Sequence, residues 1–312
     1  MGSFARTAGS IAAATLIGAG AAASPSSAGA QQVVTVPCSG PSGGASGLAT
    51  AVANANLAGH GTIRLAANCN YDFTTTAETG TRGSDALPII RGNITIFGGP
   101  STHIRRTGGT PFRLIEVAAG ARLTVNGIFI EGGDAGVFPG GAILSARGTV
   151  VLESVTVRNS TADNGAGIAN DSGSLFLLWT LVTGNTTRHA NGFGGGGAGI
   201  YNDGRLETFN TRISFNTANT SGGGIYSEQG GTARLVHTTL NNNSARFNGG
   251  GLLNGVGGRS LLEATLVTAN NAADGGGIFD NPGPGTVSLF GSLVTGNSPN
   301  NCRPVGAISG CS

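Results

Sequence analysis

The chain contains no lysine; all 17 of its basic residues are arginine. Eliminative cleavage of a polymer with a lysine amine as the base is therefore excluded. Charged residues make up only 10% of the sequence and the formal net charge is +2. So sparse a charge gives no electrostatic footprint for nucleic acid or an anionic membrane surface. Past residue 30 no apolar run reaches the about 18 residues that a membrane-spanning helix needs. No Cys-x-x-Cys pair and no Cys/His cluster is present, which removes the common zinc arrangements. The Gly/Asp-rich calcium repeat found in some solenoids is also missing.

What the chain has in place of charge is glycine, 57 of its 312 residues. These glycines cluster at fixed places between Val/Ile/Leu stretches, which argues against a disordered composition. The N-terminus reads as a leader. Arg6 precedes an apolar run from Ile11 to about Ala23, and Ala28, Gly29 and Ala30 offer small residues for cleavage. Residues 1–30 are expected to be a secretory signal peptide, and the mature protein to be secreted and extracellular. Cys38, Cys69, Cys302 and Cys311 then sit in a disulfide-permissive compartment. Four cysteines allow three pairings. An elongated stack keeps its two ends apart, which favours Cys38–Cys69 and Cys302–Cys311, each contributing on the order of 3 kcal/mol.

The glycines belong to a repeat. GGAI at 140–143 returns as GAGI, GAGI, GGGI, GGGL and GGGI, with anchors Ile143, Ile168, Ile200, Ile225, Leu252 and Ile278 spaced 25, 32, 25, 27 and 26 residues apart. A period of this size means one supersecondary unit stacked on copies of itself. A second column holds Val157, Val182, Ile213, Leu240, Val267 and Val294, followed three residues later by Ser160, Asn185, Asn216, Asn243, Asn270 and Asn297. Further columns precede it: Leu152, Leu177, Thr208, Leu235, Leu262 and Leu289, then Val150, Leu175, Leu206, Ala233, Ser260 and Val287. Alternation along short strands points all of these inward on one core.

The pattern predicts an all-β fold: a single-stranded right-handed parallel β-helix, a solenoid with three strands per coil and an N-terminal helical cap. Handedness follows from the rule for parallel connections. The asparagines are expected at sharp corners, tolerating unusual dihedrals and bonding to the next coil. The domain reading is 31–60 as cap, 61–297 as β-helix (regular from about 140), and 298–312 as a disulfide-closed tail. In the cap, Leu48, Val52 and Ala55 share one helical face after a Ser46 N-cap. Such a helix closes the open edge of the first coil.

With these residues in place, the chain resembles the secreted bacterial parallel β-helix repeat proteins. Its GGAI and x-x-Asn phrases are similar to the repeats of polymorphic outer-membrane proteins. The stretch from Cys38 through Leu48, Val52, Asn56, Ile63 and Leu65 to Cys69 and Tyr71 is similar to the cap of many exported forms. The resemblance implies a pectin-lyase-like fold, whose members include lyases, hydrolases and passive binders, so it does not by itself assign an activity.

Function is expected on outward columns and insertions. Phe176, Trp179, Phe209 and Phe290, with Leu178, Val236 and Leu261, form an apolar strip suited to the faces of sugar rings. The coil between Asn185 and Ile200 carries extra residues, among them Arg188 and His189, which with Glu207 and Arg212 are the catalytic candidates. Asp171, Asp203 and Glu228 stack at the third corner and are candidate calcium ligands, although acidic residues are also the ordinary choice in turns. Thr180, Thr211, Thr238, Thr265 and Ser292 form a hydroxyl ladder of the kind that orders water on ice-binding solenoids, without paired Thr-x-Thr rows. The expectation is a secreted, monomeric, non-catalytic and adhesin-like β-helix that contacts extracellular polysaccharide or a cell surface. It needs no cofactor unless calcium binds. The alternative is a polysaccharide lyase or glycoside hydrolase.

Overall fold

The computed structural model describes residues 33–188, 196–228, 230–281 and 286–311, all within the compact unit Gln32–Ser312. The expected leader lies outside the described residues. Those described form a right-handed parallel β-solenoid of about 10 turns with one α-helix. Each regular coil contributes a strand to each of three long sheets. The ten-stranded face runs from Val33–Val36 to Thr286–Phe290, the nine-stranded face from Asn70–Phe73 to Leu293–Thr295, and the eight-stranded face from Ile115–Val117 to Cys302–Arg303. A four-stranded corner sheet, Thr161–Ala162 to Ser244–Ala245, joins the last two faces. The stack thus runs from a strand before the helix to one inside the tail.

The sequence columns are the registers of these sheets. Val182 pairs with Val157 on one side and Ile213 on the other, in parallel. Ile200 likewise pairs with Ile168 and Ile225, and Leu177 with Leu152 and Thr208. Anchors and the Val column are buried throughout. Each coil therefore covers the apolar interior of the one before, and the core is continuous along the stack.

The asparagine column forms a buried ladder. Asn185 Nδ2 donates to Asn216 Oδ1 at 3.0 Å, Asn216 to Asn243 at 3.0 Å, Asn243 to Asn270 at 3.0 Å and Asn270 to Asn297 at 2.9 Å. The expected unusual dihedral falls one residue earlier. Asn159, Gly184, Phe215, Asn242, Ala269 and Gly296 take φ between 53° and 66°. The reason is directional. A turn at the preceding residue lets each asparagine begin the next segment with its amide inside the corner, where it reaches the coils on both sides.

A second left-handed column, Ser154, Trp179, Asn210, His237, Ala264 and Gly291, lies between the ten- and nine-stranded faces. It overturns the ice-binding idea. The turn at Trp179 and its equivalents swings the following hydroxyl residue inward, so Thr180, Thr211, Thr238 and Thr265 are buried. Thr180 Oγ1 donates to Leu152 O at 3.2 Å and Thr265 Oγ1 to Leu235 O at 3.0 Å, one coil back.

The helix Gly44–Ala58 buries Gly47, Leu48, Ala51, Val52 and Ala55 against the first coils. Its N-cap is Gly43, with no side-chain cap, and Ser46 Oγ bonds back to Gly43 O instead. Ala55 lies so near Gly61 that a Cβ there would meet it at 2.5 Å. Cys38–Cys69 and Cys302–Cys311 form the two disulfides, one beside this helix and one in the tail.

One buried ionic cluster stands outside the apolar core. Arg113, fully buried, donates to Asp85 Oδ1 at 2.9 Å and Glu116 Oε2 at 2.8 Å, and to the carbonyls of Arg82, Pro139 and Gly140. It fastens the hairpin Glu78–Gly80/Gly83–Asp85 to the eight-stranded face. Burial, reinforced by Glu116 and opposed by Arg113, pushes the Asp85 carboxyl up to about 7. An acid raised in this way binds more protons folded than unfolded between its two pKa values. Its stabilising effect is full below the unfolded value and is lost as pH rises to about 7. Asp85→Asn should flatten this slope. At about pH 8 it should be more stable than the parent by on the order of 1–3 kcal/mol in urea denaturation, with a smaller gain at about pH 5.

Candidate functional site

The ten-stranded face presents its outward rows in strict register. Phe176 lies beside Glu207, Glu207 beside Arg234, and Arg234 beside Leu261. The next row holds Leu178, Phe209, Val236, Glu263 and Phe290. At its edge the Trp179 indole is 52% exposed because the left-handed backbone there throws it outward. Trp179 meets Phe209 edge to face, ring centroids 6.2 Å apart, and Phe209 meets His237 in the same way at 5.9 Å. Phe209 is 39% and Phe290 66% exposed. Phe176 is half-buried beneath the Arg205 guanidinium, 5.9 Å from its ring centre.

Two shallow grooves run over these rows. One of about 420 Å³ is lined by Arg205, Arg234, Arg259, Leu261 and Phe290 among others. The other, about 240 Å³, is lined by Phe176, Leu178, Phe209 and Val236, and the two share Glu207 and Arg234. Arg205 pairs with Glu207, and Arg234 with Glu263 at 2.6 Å. These pairs are exposed and contribute little to stability. They border an apolar floor with groups that can donate and accept hydrogen bonds.

The catalytic candidates are placed apart. Arg188 pairs with Asp134 at 2.9 Å, Glu207 with Arg205, and the Arg212 guanidinium with Asn241 Oδ1 at 3.0 Å on the nine-stranded face. His189 lies outside the described residues. Two of the corner acids share a partner, because Ser172 Oγ bonds Asp171 Oδ1 at 3.4 Å as well as Asp203. Asp171 pairs with Arg82, and Asp203 accepts from Ser172 Oγ at 3.2 Å. Among the described residues no group of three or more His, Cys, Asp and Glu is placed to hold a metal ion.

Glu228, the third of those acids, belongs to a cluster not foreseen from the sequence. Its carboxylate accepts from Tyr201 Oη and Tyr226 Oη, each at 3.1 Å. Both phenols are raised above their usual value, by burial first and then by the Glu228 charge, so they remain donors. The available signal was positional: Tyr201 and Tyr226 each follow an inward anchor, Ile200 and Ile225, and must point outward in adjacent coils.

The chain matches no family model, no curated protein and no solved structure.

Proposed function

We propose that this is a secreted, non-catalytic β-solenoid that binds extracellular polysaccharide or a cell surface along its ten-stranded face. The observation that carries the reading is the aromatic row of Trp179 and Phe209, exposed beside grooves on a flat parallel sheet. Parallel strands repeat at about 4.8 Å, so the face presents its outward side chains at regular intervals along a line, as a polymer presents its units. Aromatic rings match the apolar faces of sugars, and the flanking arginines and glutamates supply bonds to hydroxyls. The two disulfides support an oxidising compartment, and among the described residues no helix is long and apolar enough to cross a membrane. The resemblance to secreted β-helix repeat proteins points the same way.

Trp179 is the only tryptophan, so its emission reports this face directly. Titration with uronate and neutral polysaccharides should change that emission for at least one polymer. Phe209→Ala should weaken that binding about three- to tenfold. Unchanged polymer retention by both Trp179→Ala and Phe209→Ala would remove this face from the account, and release of shortened products would overturn the passive reading.

A further inference from the structure

The eight-stranded face carries a groove of its own, of about 410 Å³, bordered by Tyr201, Tyr226, Glu228, Phe247, Asn248 and Asn281 among others. Its outward row reads Ala169, Tyr201, Tyr226, Leu253 and Phe279 in register. The solenoid core is already closed behind it by Ile200, Ile225 and Leu252, all fully buried. Neighbouring coils fill the same outward position with Ala169 and Leu253. Stacking therefore does not require two phenols here, and they are a local departure from an apolar row, set beside Glu228, which continues the corner column of Asp171 and Asp203.

The geometry organises that carboxylate for recognition. The Tyr201 and Tyr226 rings meet edge to face, centroids 5.7 Å apart and planes at 83°. Their hydroxyls bond different oxygens of Glu228, Tyr201 to Oε2 and Tyr226 to Oε1. The backbone of Glu228 is fixed as well, its N–H on Asn202 O at 2.8 Å and its carbonyl accepting from Gly231 N at 2.9 Å. A carboxylate oxygen has two acceptor sites, so one on each oxygen remains after the tyrosines are bonded. Two neighbouring acceptors of fixed orientation match two adjacent hydroxyls of a sugar ring. Phe247, 41% exposed, and Phe279 supply apolar surface for the ring, while the Asn248 and Asn281 amides both donate and accept.

Charge decides the ligand class. Among the described residues none that lines the groove is basic, and the neighbouring Arg246 guanidinium is engaged on the Phe247 ring, 5.2 Å from its centre, so the Glu228 carboxylate sets the charge that an incoming uronate or sulfate would meet. We propose that the Tyr201–Tyr226–Glu228 groove is a binding site for a neutral saccharide, with Glu228 accepting two adjacent ring hydroxyls and the neighbouring aromatic side chains packing on the sugar. It lies on a different face from the Trp179 row, so it stands or falls independently of the reading above.

The test uses the protein labelled with ¹³C in its tyrosine rings. It has three tyrosines, and the fully buried Tyr71 serves as internal reference. Linear gluco-, xylo- and manno-oligosaccharides are titrated, with oligogalacturonate as the anionic arm. At least one neutral series should shift the Tyr201 and Tyr226 signals, leave Tyr71 in place and be unaffected by Trp179→Ala. Glu228→Gln should weaken that binding by roughly tenfold or more. Phe247→Ala, at an exposed position where folding is not at stake, should weaken it about threefold. The proposal is overturned if no neutral oligosaccharide moves the two signals at millimolar concentration, if oligogalacturonate moves them equally, or if both variants bind like the parent. Loss of Trp179 emission changes with these shifts intact would instead count only against the ten-stranded face.

Discussion

Asn243→Ala should lower the unfolding free energy by about 3–4 kcal/mol, a large effect for one amide. Asn243 is almost fully buried in the ladder. Its Oδ1 accepts from Asn216 N at 3.1 Å and Asn216 Nδ2 at 3.0 Å. Its Nδ2 donates to Asn270 Oδ1 at 3.0 Å and to Ile213 O at 2.9 Å. Truncation leaves two donors of Asn216 without this acceptor, deep in a corner that water does not reach. Each unmet buried group costs on the order of 1–3 kcal/mol. Asn297, half-exposed at the end of the ladder, should lose less when replaced in the same way. Urea denaturation of both variants checks the ranking, and equal losses of under about 1 kcal/mol would mean that the ladder does not hold the coils.

Gly250→Ala should be at least as damaging, about 3 kcal/mol or more. A Cβ at Gly250 would lie 2.5 Å from Asn271 O and Gly276 O and 2.7 Å from Asn271 N, all backbone atoms of the next coil. Nothing there rotates out of the way, so the coils themselves must separate. The φ of Gly250 is not in the left-handed region, which makes the effect one of close approach. Gly257 is the matched control, with φ +76° and nothing within 4 Å of the added atom. Gly257→Ala should cost only about 1 kcal/mol, from backbone strain. Thermal melts that failed to separate the two variants would remove close inter-coil packing as the reason for the glycine phrase.

These glycines and asparagines made the fold legible. Their roles recur once per coil, so the same constraint is written six times, as in Ile143 through Ile278 and Ser160 through Asn297. The corners were harder because one left-handed residue reverses which neighbour points inward. Thr180 and its equivalents thus read as an outward ladder, whereas the turn at Trp179 buries them. The same turn exposes Trp179, so the aromatic strip was readable but its extent at the corner was not. The cap helix was legible through Leu48, Val52 and Ala55, but its start was not, because Gly43 caps it by backbone geometry alone. Arg113 and Asp85 lie in irregular coils where no column brings them together in advance. The Tyr201–Tyr226–Glu228 groove was legible only in parts. Glu228 sat in a turn where acids are common, and only register across two coils unites it with the tyrosines.

Every surface described above depends on successive coils lying parallel, one residue over its equivalent. Paired cysteines test this most directly, since a disulfide needs Cα atoms within about 7 Å. Glu207 and Arg234 are register partners on adjacent strands, whereas Phe176 and Arg234 lie two strands apart. The double variant Glu207→Cys/Arg234→Cys should cross-link on mild oxidation, detected by mass spectrometry of the proteolysed chain, and Phe176→Cys/Arg234→Cys should not. Cross-linking of the second pair in preference to the first would contradict the stacked register and both binding faces built on it.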